Sequence, residues 1–175
     1  MKIVELSRNE YQNYELDCKY QTKAYFDISI KKKKDITIHI KRKRLRKKTE
    51  KGFVSHLYES YIEKPQVFAI FDRKKVVAVI EGSIESWNNR YRVWNFLVDK
   101  KYRREGFGQM LFKHIETVAK DSGARALILE VQSCNEPAIS FYMKQGLHFV
   151  GLNTMEYSNE DIQNKEVRLE MGKRL

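Results

Sequence analysis

The sequence predicts a single mixed α/β domain whose central sheet is mostly antiparallel and flanked by helices. Two observations carry this prediction. Residues 66–98 read as strands joined by tight turns, an antiparallel meander. Beyond residue 98 the period changes, and strand, helix, strand, helix and strand succeed one another to the C-terminus.

Taken in order, residues 24–30 and 36–40 both alternate, with Phe26, Ile28 and Ile30 in the first run and Ile36, Ile38 and Ile40 in the second. KKKKD between them predicts a hairpin with a longer loop, and KRKRLRKK at 41–48 extends or leaves its second strand. Residues 52–63 place Phe53, Leu57 and Tyr61 at helical spacing and predict a short helix ending before Pro65. Strands follow at 67–71 and 75–85, joined at Asp72-Arg73-Lys74, and Trp87-Asn88-Asn89-Arg90 turns the chain into a third strand at 92–98. Residues 106–120 form a helix with Phe107, Leu111, Ile115 and Val118 as its apolar stripe, and Gly123 stops it. Residues 126–131 are a nearly continuous apolar run, as in a parallel strand buried on both faces. A second helix starts near Asn135 with Pro137 in its first turn, carries Ala138, Phe141, Tyr142 and Gln145 on one side, and ends at Gly146. Strands at about 147–157 and 165–171 close the chain.

Composition excludes several classes. The 175 residues suit one domain, with 42% hydrophobic and 12% aromatic content arguing for a folded core. No apolar run reaches the roughly 20 residues of a membrane span, and the N-terminus lacks the apolar stretch of a signal peptide. Cys18 and Cys134, with no CxxC and no clustered His, give neither a disulfide framework nor a metal site. The economical expectation is a soluble cytoplasmic protein. The net charge of +11 is local: residues 23–51 hold 13 Lys/Arg against three acids, leaving 21 bases and 20 acids elsewhere.

Chemistry enters between the 92–98 strand and the helix after it. Arg103-Arg104-Glu105-Gly106-Phe107-Gly108-Gln109 places two glycines and two arginines where unpaired N–H groups and the helix dipole favour a phosphate. A dinucleotide fingerprint would need an earlier glycine that is absent here. R-x-x-G-x-G after Leu97-Val98 resembles motif A of the GNAT superfamily of N-acetyltransferases. Asn135, Ala138, Phe141, Tyr142 and Gly146 match that superfamily's N-x-x-A-x-x-F-Y-x-x-x-G element. The resemblance covers roughly 66–175 as a coenzyme-binding core, while 1–65 carries little of it. It implies a GNAT-type sheet splayed between its fourth and fifth strands and acetyl-CoA as co-substrate, with no metal.

By the same resemblance, Leu97 and Val98 would pair through their backbones with the pantetheine arm, and the loop at 103–109 with Asn135 would hold the rest of the coenzyme. Tyr142 would protonate the departing thiolate, since a phenol with a pKa of about 10 is protonated at neutral pH. The base that deprotonates the amine is open among Glu81, Glu85 and Glu130, with a water chain as the alternative. Cys134 is a weak candidate for a covalent intermediate, because direct transfer needs none. Trp87–Tyr91, Leu129–Gln132 and Asn153–Asn159 are similar to the streptothricin acetyltransferase branch. That branch carries acids where this chain has Trp94-Asn95, which leaves the acceptor open.

The expected activity is therefore acetyl transfer to a primary amine, most simply of a small molecule. Two alternatives stay open: a protein- or ribosome-directed acetyltransferase docking through the basic hairpin, and a non-catalytic nucleic-acid-binding module. Residues 31–48 would meet an acidic partner or RNA, or remain a solvated face. A homodimer is also left open.

Overall fold

The computed structural model describes all 175 residues. In chain order its elements are β1 (Ile3–Glu5), α1 (Arg8–Tyr11), β2 (Glu15–Asp17), β3 (Tyr20–Lys32), β4 (Ile36–Lys51), β5 (Val54–His56), β6 (Gln66–Asp72), β7 (Lys75–Glu85) and β8 (Arg90–Val98). A 3-10 turn (Lys100–Tyr102), α2 (Phe107–Asp121), β9 (Ala126–Gln132), α3 (Glu136–Lys144), β10 (His148–Asn153), α4 (Asp161–Asn164) and β11 (Arg168–Arg174) complete it. The chain forms two compact units, residues 1–18, 53–129 and 173–175 in the first, and 19–52 and 130–172 in the second. No helix is long and apolar enough to cross a membrane.

In the first unit the strand order is β1-β6-β7-β8-β9, antiparallel except for β8 with β9. Both faces of this sheet are covered, which is why β6 and β7 read as unbroken apolar runs. Leu111, Phe112, Ile115 and Ala119 of α2 are buried on one side, where Phe112 meets Phe96 at 6.1 Å and His114 meets Phe68 at 4.5 Å. On the other, Leu6, Leu16, Leu57, Tyr58, Val67, Ala69 and Val79 form a cluster. Pairing of β8 with β9 joins only Arg90–Val93 to Ala126–Leu129, so residues 94–98 run on without a partner in β9. Gly82 is required by its neighbour: a Cβ there would lie 2.4 Å from the ring of Tyr91, which is fully buried.

The expected helix at 52–63 does not form. Instead β5 pairs with β2, and the chain turns through Tyr58 and Lys64 at φ +60° and +44°. The reason is where the backbone donors go. Leu57 N bonds to Tyr14 O at 3.0 Å and Tyr58 N to the Glu81 carboxylate at 2.8 Å, so neither closes a helical turn. Of the expected stripe, only Leu57 is buried; Phe53 and Tyr61 are 53% and 67% exposed.

In the second unit β3 and β4 form a hairpin longer than the alternation suggested, with Ile28 opposite Ile40 and Ile30 opposite Ile38. Phe26 anchors it, bonding through its N–H to Ser133 O at 2.8 Å and meeting Phe149 at 5.6 Å. The end of β9, β11 and β10 lie side by side, with β10 and β11 antiparallel. β10 stops at Asn153, short of the expected 157, because Asp161 takes the N–H groups of Glu156, Tyr157 and Ser158 for itself.

Candidate active site

The loop leading into α2 lies in the first unit. Asp99 opens it, accepting from Lys101 N at 2.9 Å and Lys75 Nζ at 2.6 Å, and Arg103 Nε folds back onto Val98 O at 3.0 Å. Arg104 and Gly106 are left-handed at φ +72° and +89°. Gly106 is the cap residue of α2 and offers no side chain to the first turn, whose earliest helical bond is Met110 N to Gly106 O at 3.0 Å. The N–H groups of Phe107, Gly108 and Gln109 are thus left for a ligand or water. A Cβ on Gly106 would meet nothing within 4 Å. Open space, uncapped donors and exposed Arg103, Arg104 and Gln109 fit a phosphate group. Glu105 is exposed beside them.

The strand before this loop has an irregularity the sequence did not announce. Glu81 pairs with Asn95 but Gly82 with Val93, so Trp94 is an extra residue, a β-bulge that bends β8. Leu97 packs its side chain against the core cluster, which leaves its backbone and that of Val98 on the stretch that β9 does not pair.

The three candidate bases part company here. Glu85 accepts from Arg90 Nε at 2.9 Å and Arg92 Nε at 2.8 Å; burial pushes its carboxyl up, but the two guanidinium groups outweigh it and hold it below its usual value. Glu130, in the second unit, accepts from Tyr157 Oη at 2.6 Å and pairs with Arg168 at 3.2 Å. Glu81 alone has no cationic partner in contact. It is 0% exposed and held by Asn95 Nδ2 at 2.6 Å and Tyr58 N at 2.8 Å. Burial raises its pKa more than those two hydrogen bonds lower it. Asn95 is itself fixed, accepting from Ser55 Oγ at 2.7 Å and donating to His56 O at 3.2 Å. Sequence reasoning took Asn95 only as a missing acid and overlooked Ser55 and Tyr58.

In the second unit Asn135 caps α3, its side chain accepting from Ala138 N at 3.3 Å. Tyr142 lies on α3 at 8% exposure, edge-on to Phe141 at 5.7 Å. Cys134 is buried against Tyr20 Oη at 3.2 Å, and burial pushes its thiol up, which removes it as a ready nucleophile.

A strand-to-helix turn with uncapped donors, beside a bulged strand that β9 pairs only in part, is a scaffold that fits a phosphate-bearing ligand. Comparison with known proteins makes the class specific. Residues 36–147 match the acetyltransferase (GNAT) family, and the chain belongs to it. Members of that family use acetyl-CoA. A streptothricin acetyltransferase of Streptomyces lavendulae is 36% identical over 75 residues, a stretch spanning 43% of this chain and only 40% of that enzyme. The ribosomal protein bS18 alanine N-acetyltransferase of Escherichia coli K12 is 26% identical over 113 residues, 65% of this chain and 72% of that one. Among solved structures, nourseothricin acetyltransferase superposes with a TM-score of 0.79 at 22% identity, covering 99% of this chain and 97% of its own. A protein of Bacillus anthracis str. Ames assigned as a streptothricin acetyltransferase, solved with acetyl coenzyme A, gives 0.79 at 24% identity, covering 99% of both chains.

Proposed function

We propose that the protein transfers an acetyl group from acetyl-CoA directly to a primary amine, in the first place that of a small molecule. The observation that carries this reading is the uncapped start of α2, opening into empty space at Gly106 on the loop that follows the stretch of β8 that β9 leaves unpaired. Donors there suit the pyrophosphate, with Arg104 making no ion pair of its own and Arg103 near the strand end. Residues 94–98 suit an extended amide-bearing arm, which would add to the strand through Leu97 and Val98.

The reaction joins the amine nitrogen to the acetyl carbon and breaks the carbon–sulfur bond. Glu81 takes the proton the amine loses, relayed by water because its carboxylate is fully buried; no cation is in contact with it, and burial makes it more basic than usual. Tyr142 gives the departing thiolate its proton. Glu85 and Glu130 serve as structural ion-pair partners.

A second reading, acetylation of a protein N-terminal amine, draws on the similarity to the bS18 alanine acetyltransferase over 113 residues. A thiol-release assay with acetyl-CoA over a panel of small amines and short peptides separates the two. Turnover on small amines but not peptides supports the first reading, and the reverse supports the second. No thiol release on any amine, with acetyl-CoA bound, overturns both.

A further inference from the structure

The β3–β4 hairpin carries basic charge that is left largely without carboxylate partners. Of the 13 bases in residues 23–51, three have carboxylate partners: Lys43 with Asp27 at 2.6 Å, Arg42 with Glu136 at 2.9 Å and Lys51 with Glu166 at 2.5 Å. The other ten, concentrated at 31–34 and 41–48, have none. β4 has no strand on its outer edge. Residues 29–39 are exposed throughout, so a two-stranded tip stands clear of its unit for about 13 Å, four residues at about 3.3 Å each. Ile30, Ile36 and Ile38 are 37%, 71% and 50% exposed on it.

Four anionic partners can be weighed against this geometry. A single strand of nucleic acid needs aromatic platforms for its bases. The aromatics of 23–51 are Phe26, buried against Phe149, and Tyr25, half-buried with Lys165 over its ring at 4.9 Å. A flat lipid surface meets one face of a ribbon. Here the register charges both faces, with Lys32 and Arg44 beside Ile30 and Ile38 on one and Lys31 and Lys41 on the other, so a flat surface would meet only part of the charge. An A-form RNA duplex has a major groove too narrow for side chains. The major groove of B-form DNA, about 12 Å wide, admits a two-stranded ribbon.

We propose that this hairpin docks on B-form double-stranded DNA, with its tip in the major groove and residues 41–48 on the flanking phosphates. Lys31–Lys34 meet phosphates and base-edge acceptors at the groove floor and walls, while Ile36 and Ile38 pack against thymine methyl groups. The inference does not rest on the acetyl-transfer reading.

Fluorescence anisotropy with the full chain tests it, using a labelled DNA duplex of about 20 base pairs, the same sequence as an RNA duplex and as a single strand, and vesicles containing phosphatidylserine. The DNA duplex should bind tightest, with affinity falling about a thousandfold between 50 and 200 mM salt. Neutralising the tip (Lys31→Gln, Lys32→Gln, Lys33→Gln, Lys34→Gln) should weaken binding at least about tenfold and flatten the salt slope. Ile36→Ser with Ile38→Ser should weaken it about fivefold with the slope unchanged. An unaltered circular-dichroism spectrum and Tm certify that each variant is folded. Equal or tighter binding of the RNA duplex, the single strand or the vesicles overturns the assignment, as does DNA binding indifferent to the tip substitutions.

Discussion

Gly106→Ala separates what the start of α2 does as backbone from what it does as a ligand cradle. Gly106 sits at φ +89°, and an added Cβ would touch nothing within 4 Å. The strain of an L-residue in that region is about 1–2 kcal/mol. Reduced freedom of the unfolded chain returns roughly half a kcal/mol to one. The net loss is about 1 kcal/mol, a fall in Tm of about 2–4 °C for a chain of this size. Gly123, at φ +71° past the other end of the same helix and equally open, should lose the same amount as Gly123→Ala. The two differ in what the methyl fills. At Gly106 it occupies the space offered to phosphate, so acetyl-CoA affinity should fall at least about tenfold, or about 1.4 kcal/mol. At Gly123 it should not change. Thermal unfolding by circular dichroism and titration calorimetry with acetyl-CoA measure the two quantities separately. An equal affinity loss in both variants, or none at Gly106→Ala, would refute the cradle.

Tyr142→Phe should lower kcat by about a hundredfold with acetyl-CoA affinity nearly intact, as read by stopped-time thiol release and calorimetry. Rate constants for the unaltered chain should fall as pH drops through the Glu81 pKa, which lies above the ordinary carboxylate value. Asn95→Asp puts a second carboxyl in hydrogen-bond reach of Glu81 and should move that acidic limb to higher pH; an unmoved limb assigns the base elsewhere. For stability the signs differ between the two strand carboxylates. Raised Glu81 makes the fold less stable as pH climbs through its pKa, whereas lowered Glu85 contributes stability that disappears as pH falls through its own. Chemical denaturation of Glu81→Gln and Glu85→Gln against pH reports each. Gly82→Ala forces a methyl against the Tyr91 ring and should cost about 1–3 kcal/mol, visible as a lower denaturation midpoint.

Local signals were legible where one residue decides one conformation. Gly123 and Gly146 end α2 and α3 at positive φ, Asn135 caps α3, and Pro137 sits in its first turn. The hairpin followed from alternation alone. What stayed hidden depended on partners distant in sequence. Residues 52–63 have a helical stripe, yet their N–H groups are claimed by Tyr14 and Glu81. The Glu81–Asn95 contact was concealed by a single residue. Counting back from the Glu85–Arg90 pair would set Glu81 against Trp94, and only the bulge moves Asn95 into place. Nothing in the local sequence marks that bulge, because Trp94 is a good strand former and its displacement is settled by packing across the sheet. A missing acid and its replacement therefore looked like two unrelated facts.

The β3–β4 ribbon carries a different kind of consequence in its one break of register. Thr22 faces Thr49 while Ala24 faces Arg44, so Lys23 alone stands against residues 45–48. Three residues are surplus, and three is odd, so odd-numbered positions of β4 share Thr22's face near the base and even-numbered ones share Ala24's face toward the tip. The seam works as a phase shifter. It passes the buried side of β3, which Thr22 and Ala24 share, from odd-numbered to even-numbered partners in β4. Removing three residues at the seam would fuse the two stretches in phase, whereas removing one would leave two of the surplus residues unpaired.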